Sequence, residues 1–67
     1  MLLNDIPKKS KIYCEISDGS KYLIMDHLDG FYSYCVTENG SIMHLSCSTP
    51  LQKYKDGYEI EDIPKSK

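Results

Sequence analysis

The 67-residue chain contains no alanine, no tryptophan and no arginine, and each absence narrows what it can be. Alanine is the best helix former, so its absence beside seven isoleucines and six tyrosines favours strands over helices. Without arginine, the eight lysines are the only strong bases, and they face ten carboxylates for a net charge of −2. That balance disfavours a dedicated nucleic-acid binder of the strongly basic type. No apolar run approaches the length needed to span a membrane.

Motifs for catalysis and metal binding are also missing. Zinc would need ligands from three cysteines and a histidine, namely Cys14, Cys35, Cys47 and either His27 or His44. The sequence contains no Cys-x-x-Cys or His-x₃-His pair of the kind that zinc knuckles use, and we expect no metal or cofactor. Every glycine is needed for a turn, which leaves no phosphate-binding loop, and we expect no enzymatic activity. Three cysteines cannot all pair within one chain, and the apolar start Met1-Leu2-Leu3 is too short for a signal peptide. Both observations predict a reduced, cytoplasmic protein.

Each of the four glycines follows an aspartate or an asparagine. The four dipeptides are Asp18-Gly19, Asp29-Gly30, Asn39-Gly40 and Asp56-Gly57. Such pairs tolerate positive φ in tight reversals between paired strands. The first three glycines are spaced by 11 and 10 residues, which is typical of an antiparallel meander.

Runs rich in Ile, Tyr, Val and Thr between these turns predict five strands. They cover residues 12–17, 21–27, 31–38, 41–47 and 58–61. Pro50 cannot donate to a strand ladder but suits the first turn of a helix, with Ser48 or Thr49 as its cap. The sequence therefore predicts one short helical turn over residues 50–54, before the last strand.

Five strands with one helical turn before the last resemble the plan of SH3-like and Sm-like small β-barrels, over roughly residues 11–61. The resemblance implies a mainly β, five-stranded barrel domain over residues 11–61, an N-terminal arm over 1–10 and a lysine-rich tail over 62–67. A five-stranded OB-type barrel is the alternative architecture. No sequence motif of a named family accompanies the pattern, so the resemblance implies a fold and no function.

Exposed tyrosines are the main functional indication, because a core this small cannot bury six rings and satisfy their hydroxyls. The leading hypothesis is a non-catalytic protein-binding module with Tyr32 and Tyr34 as contacts and Asp29 and Glu38 as flanking charges. The richness in Lys, Ile and Tyr resembles proteins of AT-rich genomes, and the small free-standing barrel resembles bacteriophage accessory proteins. That resemblance implies a phage-encoded modulator of a host enzyme or regulatory complex.

Single-stranded nucleic acid is the alternative partner, because lysines accompany two of the tyrosines. The residues concerned are Lys8, Lys9, Lys11, Tyr13, Lys53, Tyr54 and Lys55. A homodimer through the edge of the strand at residues 41–47 is also expected, since that strand has no lysine, proline or internal charge to prevent edge pairing.

Overall fold

The computed structural model describes residues 1–61 and confirms a mainly β chain with almost no helix. A 3-10 turn at Leu3–Asp5 precedes six strands that form a single mixed sheet. The strands are β1 (Ser10–Tyr13), β2 (Tyr22–Asp29), β3 (Tyr32–Thr37), β4 (Ile42–Ser46), β5 (Leu51–Tyr54) and β6 (Gly57–Ile60). The lysine-rich tail predicted over residues 62–67 lies outside the described residues.

The first four strands form the predicted antiparallel meander. Gly19, Gly30 and Gly40 sit at its three reversals, and all three have positive φ. The interpretation of these three glycines as turn residues is therefore confirmed, whereas Gly57 is the first residue of β6 and the positive φ of that reversal is at Lys55.

The predicted five-stranded closed barrel is wrong in strand count and in closure. The sheet is open, in the order β4-β3-β2-β1-β6-β5, and β6 pairs with β1 in parallel. The helical turn predicted over residues 50–54 is also wrong, because Leu51–Tyr54 is strand β5. Met1 and Leu51 exchange hydrogen bonds, and Leu2 forms a β-bridge with Pro50. These partners hold the stretch after Pro50 extended.

The open sheet is strongly curled, because its two outermost strands are consecutive in the chain. In a flat sheet, β4 and β5 would lie about 24 Å apart at a strand spacing near 4.8 Å. The end of β4 at Ser46 and the start of β5 at Leu51 are joined by only four residues, which can span at most about 17 Å. The sheet must therefore bend to bring its two edges together. The N-terminal segment contacts this connection, where the N–H of Leu3 donates to the carbonyl of Thr49 at 2.9 Å.

The core lies on one side of the curled sheet, which we call the core face. Its fully or nearly fully buried apolar residues are Leu3, Ile6, Ile12, Leu23, Met25, Cys35 and Leu51. Leu3 and Ile6 come from the segment before β1, which therefore supplies part of the core. The opposite side, here called the outer face, carries alternate residues such as Lys11, Tyr22 and Tyr34.

A β-bulge at Asp26 changes which side chains of β2 reach the outer face. Met25 is opposite Cys35, whereas His27 is opposite Tyr34, so Asp26 is the extra residue. Regular alternation would have placed His27 on the core face with Met25. The bulge therefore transfers His27 to the outer face, beside Tyr34.

Candidate functional site

The described residues enclose no pocket, so the candidate sites are exposed surfaces. The most exposed apolar surface among the described residues is the hairpin tip, which we define as residues 28–32, where β2 ends and β3 begins. Phe31 is 86% exposed, Tyr32 is 56% exposed and Leu28 is 40% exposed. Asp29 is opposite Tyr32 in the ladder and is exposed as well. The tip therefore combines three apolar or aromatic side chains with one carboxylate.

The backbone at the hairpin tip is held in place although its side chains are exposed. Gly30 takes φ +67°, which allows the tight reversal. The carbonyl of Phe31 accepts a hydrogen bond from the N–H of Cys47 at 2.9 Å, and the Cys47 thiol contacts the carbonyl of Gly30 at 3.6 Å. These contacts connect the tip to the segment after β4.

Of the four predicted protein-contact residues, the structure brings Asp29 and Tyr32 together and separates the other two from the tip. Tyr34 lies further along β3, half-buried on the outer face. Glu38 follows the far end of β3, about 20 Å away at the usual rise per residue. There its carboxylate accepts a hydrogen bond from the backbone N–H of Lys21 at 2.9 Å, so it connects two turns.

Tyr34 is the middle of an aromatic row across three strands. The ring of His27 stacks on Tyr34 with centroids 5.0 Å apart, and His44 meets the other side edge-on at 5.6 Å. Asp26 contacts the Nδ1 of His27 at 2.7 Å. The row covers Tyr34 and leaves it less available to a partner than Tyr32.

A second candidate surface on the outer face combines tyrosines with lysines. We call it the tyrosine–lysine cluster; it comprises Lys11, Tyr13, Tyr22, Tyr54 and Lys55. The ring of Tyr13 meets Tyr22 at 6.3 Å and Tyr54 at 5.2 Å, both edge to face. The Lys11 amine lies 4.6 Å from the Tyr22 centroid, and the Lys55 amine lies 5.2 Å from the Tyr54 centroid. These are cation–π distances.

Asp56 lies beside the tyrosine–lysine cluster and contacts two of its residues, Tyr13 and Lys11. The hydroxyl of Tyr13 donates to its carboxylate, and this hydrogen bond lowers the pKa of Asp56 and raises that of Tyr13. The Lys11 amine lies 3.6 Å from the same carboxylate. The cluster thus carries one negative charge beside its two lysines.

The cluster includes four of the seven residues predicted for nucleic-acid contact, and the other three lie elsewhere. Lys9 forms an ion pair with Asp26 at the bulge of β2. Lys53 lies over Tyr58, whose ring packs against the core. Lys8 is exposed before β1.

Within residues 1–61, the cysteines and histidines considered as zinc ligands form no group of three with each other or with a carboxylate. Cys35 is buried, whereas Cys14 and Cys47 are half-buried on separate segments. Desolvation raises the pKa values of the Cys14 and Cys35 thiols.

Leu28, Phe31 and Tyr22 are not among the site residues predicted from the sequence. A usable signal for Phe31 was present, because an aromatic residue directly after an Asp-Gly turn lies where a hairpin is most exposed. Tyr22 gave no such signal, since it joins the cluster only through the pairing of β1 with β2.

Comparison of the chain with protein-family models, curated proteins and solved structures found no match. The part of the chain that the structure describes contains no helix that is long and apolar enough to cross a membrane.

Proposed function

We propose that the protein is a non-catalytic interaction module whose hairpin tip docks into an apolar pocket of a partner protein. The observation that carries the proposal is the exposure of Phe31, at 86% of its surface, between two other exposed apolar side chains. Transfer of an exposed phenylalanine side chain from water into an apolar pocket of a partner would stabilise the complex by about 2 kcal/mol. A few buried anchor residues, many of them aromatic, carry most of the binding energy of protein interfaces.

The rigidity of the tip supports the same proposal. The carbonyl of Phe31 accepts a hydrogen bond from the N–H of Cys47, and the flanking residues Asp29 and Tyr32 are opposite each other in the ladder. An anchor on a fixed backbone loses little conformational entropy when it binds, and preorganisation of this kind increases affinity.

Charge indicates the chemistry of the partner surface. Asp29 lies at the tip, and Lys21 is the only lysine between residues 12 and 52. We therefore expect an apolar pocket with a basic rim, since complementary charges steer association. Occupation of such a pocket would modulate the partner, in keeping with the phage-type accessory role that the composition suggests.

The experiment is affinity capture from extracts of the protein's source cells, with wild type, Phe31→Ser and Tyr54→Ser as baits. Tyr54 is the matched control because it is also an exposed aromatic residue but lies on β5, away from the hairpin tip. We expect wild type and Tyr54→Ser to retain the same protein, and Phe31→Ser to lose it at least tenfold. Equal retention by Phe31→Ser would contradict the proposal.

A second candidate function, binding of single-stranded nucleic acid, is favoured by the tyrosine–lysine cluster. Unpaired bases stack on aromatic rings while lysines contact phosphates, and the cluster presents both groups together. A base would take the position of a lysine amine over Tyr54 or Tyr22, and that amine would move to the phosphate. The net charge of −2 limits the affinity.

Fluorescence anisotropy with a labelled oligothymidylate tests this second function. With two phosphate contacts, the logarithm of the binding constant should fall with the logarithm of salt at a slope of about −1.4. Tyr54→Ser should weaken binding and Phe31→Ser should not. The two variants thus have opposite effects in the capture and anisotropy experiments, and absence of micromolar binding rejects the nucleic-acid function.

A further inference from the structure

The two edges of the open sheet differ in how they are protected. The β5 edge carries Lys53 and is followed by Lys55, and Met1 covers its start through hydrogen bonds of 2.6 and 3.0 Å to Leu51. The β4 edge, Ile42–Ser46, has no charged residue and no proline. Lysines and covering segments are the usual means of blocking edge pairing, and β4 has neither among the described residues.

The backbone groups that β4 directs away from the sheet follow from its register with β3. The N–H of Thr37 donates to the carbonyl of Ser41 at 2.8 Å, and the N–H of Cys47 donates to the carbonyl of Phe31 at 2.9 Å. Hydrogen-bonded pairs alternate along an antiparallel ladder, so residues 41, 43, 45 and 47 bond to β3. The N–H and C=O groups of Ile42 and His44 therefore point outward.

We propose that β4 pairs antiparallel with β4 of a second copy, with the two-fold axis at Met43. In this register Ile42 is opposite the partner's His44, and His44 is opposite the partner's Ile42. The N–H and C=O groups of Ile42 and His44, which point outward in each single copy, form four hydrogen bonds between the two strands. The carbonyl of Ser46 takes no part in this register, and it already accepts a hydrogen bond from the N–H of Thr49 at 3.0 Å.

Side chains on both faces of β4 favour a second copy as the occupant. Ile42 is 48% exposed on the outer face, and Met43 is half-buried on the core face. In the Met43-centred pair, each Ile42 is covered by the partner's His44, and the two Met43 side chains meet across the axis. An uncharged antiparallel strand is its own complement under two-fold symmetry, so no like charges within β4 oppose one another.

Analytical ultracentrifugation of the full chain over a range of concentrations tests the dimer. We expect the mass to rise from 7.7 kDa toward twice that value with increasing concentration. Ile42→Lys puts a charge in the pairing strand and should raise the dimer dissociation constant about tenfold or more. Gln52→Lys puts the same charge on the exposed β5 edge, where Gln52 is opposite Glu59, and should change it about twofold at most.

Circular dichroism and urea midpoints establish that both variants are folded. A wild-type mass that stays at 7.7 kDa up to about 1 mM overturns the proposal, whatever the variants do. Equal weakening by Ile42→Lys and Gln52→Lys overturns it as well, because it would place the contact away from β4.

Discussion

The rings of Tyr13 and Tyr54 meet edge to face at 5.2 Å although strand β6 lies between their strands. Gly57 of β6 is opposite Tyr54 and has no side chain to separate the two rings. A Cβ atom at Gly57 would lie 2.4 Å from the carbonyl oxygen of Lys11. The tyrosine–lysine cluster therefore depends on a glycine that the chain needs for close approach.

Gly57→Ala should cost about 3 kcal/mol of unfolding free energy, because backbone atoms must move to admit the methyl group. Gly30→Ala is the matched control: it has φ +67° but nothing within 4 Å, and should cost about 1–2 kcal/mol from backbone strain alone. Urea unfolding measures both variants. A smaller loss for Gly57→Ala than for Gly30→Ala would contradict the packing described for β6.

Leu3→Ala should destabilise the protein by about 2–4 kcal/mol, because Leu3 is fully buried in the core. The adjacent Leu2 is 41% exposed, and Leu2→Ala should cost less than about 1 kcal/mol. Chemical denaturation of the two variants measures the difference. If both variants were equally stable, the segment before β1 would not belong to the core.

Asp18 connects the first and third reversals of the meander. Its carboxylate accepts hydrogen bonds from the N–H of Ser20 and the hydroxyl of Thr37, both at 2.8 Å, and Asn39 donates to its carbonyl. The hydrogen bonds from Ser20, followed by that from Thr37, lower the pKa of Asp18 to about 2.

The lowered pKa predicts how stability depends on pH. In the unfolded chain Asp18 titrates at about 3.9, so its stabilisation is complete above that pH and is lost as pH falls toward about 2. Asp18→Asn should be less stable than wild type at pH 7, and the difference should shrink between about pH 4 and 2. Asp29→Asn at the hairpin tip is the control. A constant difference for Asp18→Asn across this range would exclude the assigned hydrogen bonds.

Thiol reactivity should follow burial. Cys35 is buried and its pKa is raised by desolvation, so alkylation at pH 8 should reach it only when the chain unfolds. Cys14 and Cys47 are half-buried and should react in the native state. Mass spectrometry of peptides after timed alkylation gives the three rates. Fast native labelling of Cys35 would show that the core is open at β3.

The meander was predictable because its signals are local. Asp and Asn before Gly19, Gly30 and Gly40 specify positive φ without reference to the rest of the chain. The strand after Pro50 was not predictable in the same way. It is held extended by Met1 and Leu2, which are about fifty residues away in sequence. Local helix-start signals could not reveal that contact.

In the candidate sites, too, features set by neighbouring residues were predictable and features set by distant contacts were not. The exposure of Tyr32 follows from its place beside a turn, which the sequence specifies. The separation of Glu38 from Asp29 follows from the length of β3, because Asp29 is opposite its first residue, Tyr32, and Glu38 comes after its last. The burial of Tyr34 does not follow from the sequence. It depends on the bulge at Asp26, which turns His27 toward Tyr34. A bulge has no distinctive residue type in this chain, so alternation alone assigns His27 to the wrong face.

Photo-crosslinking from the hairpin tip tests whether Phe31 contacts a partner protein. A benzoylphenylalanine at position 31, compared with one at position 54, would be irradiated in extracts of the source cells. We expect a discrete crosslinked protein from position 31, lost when excess wild-type protein competes, and no such product from position 54. A crosslink to the same protein from position 54 but not from position 31 would contradict this expectation.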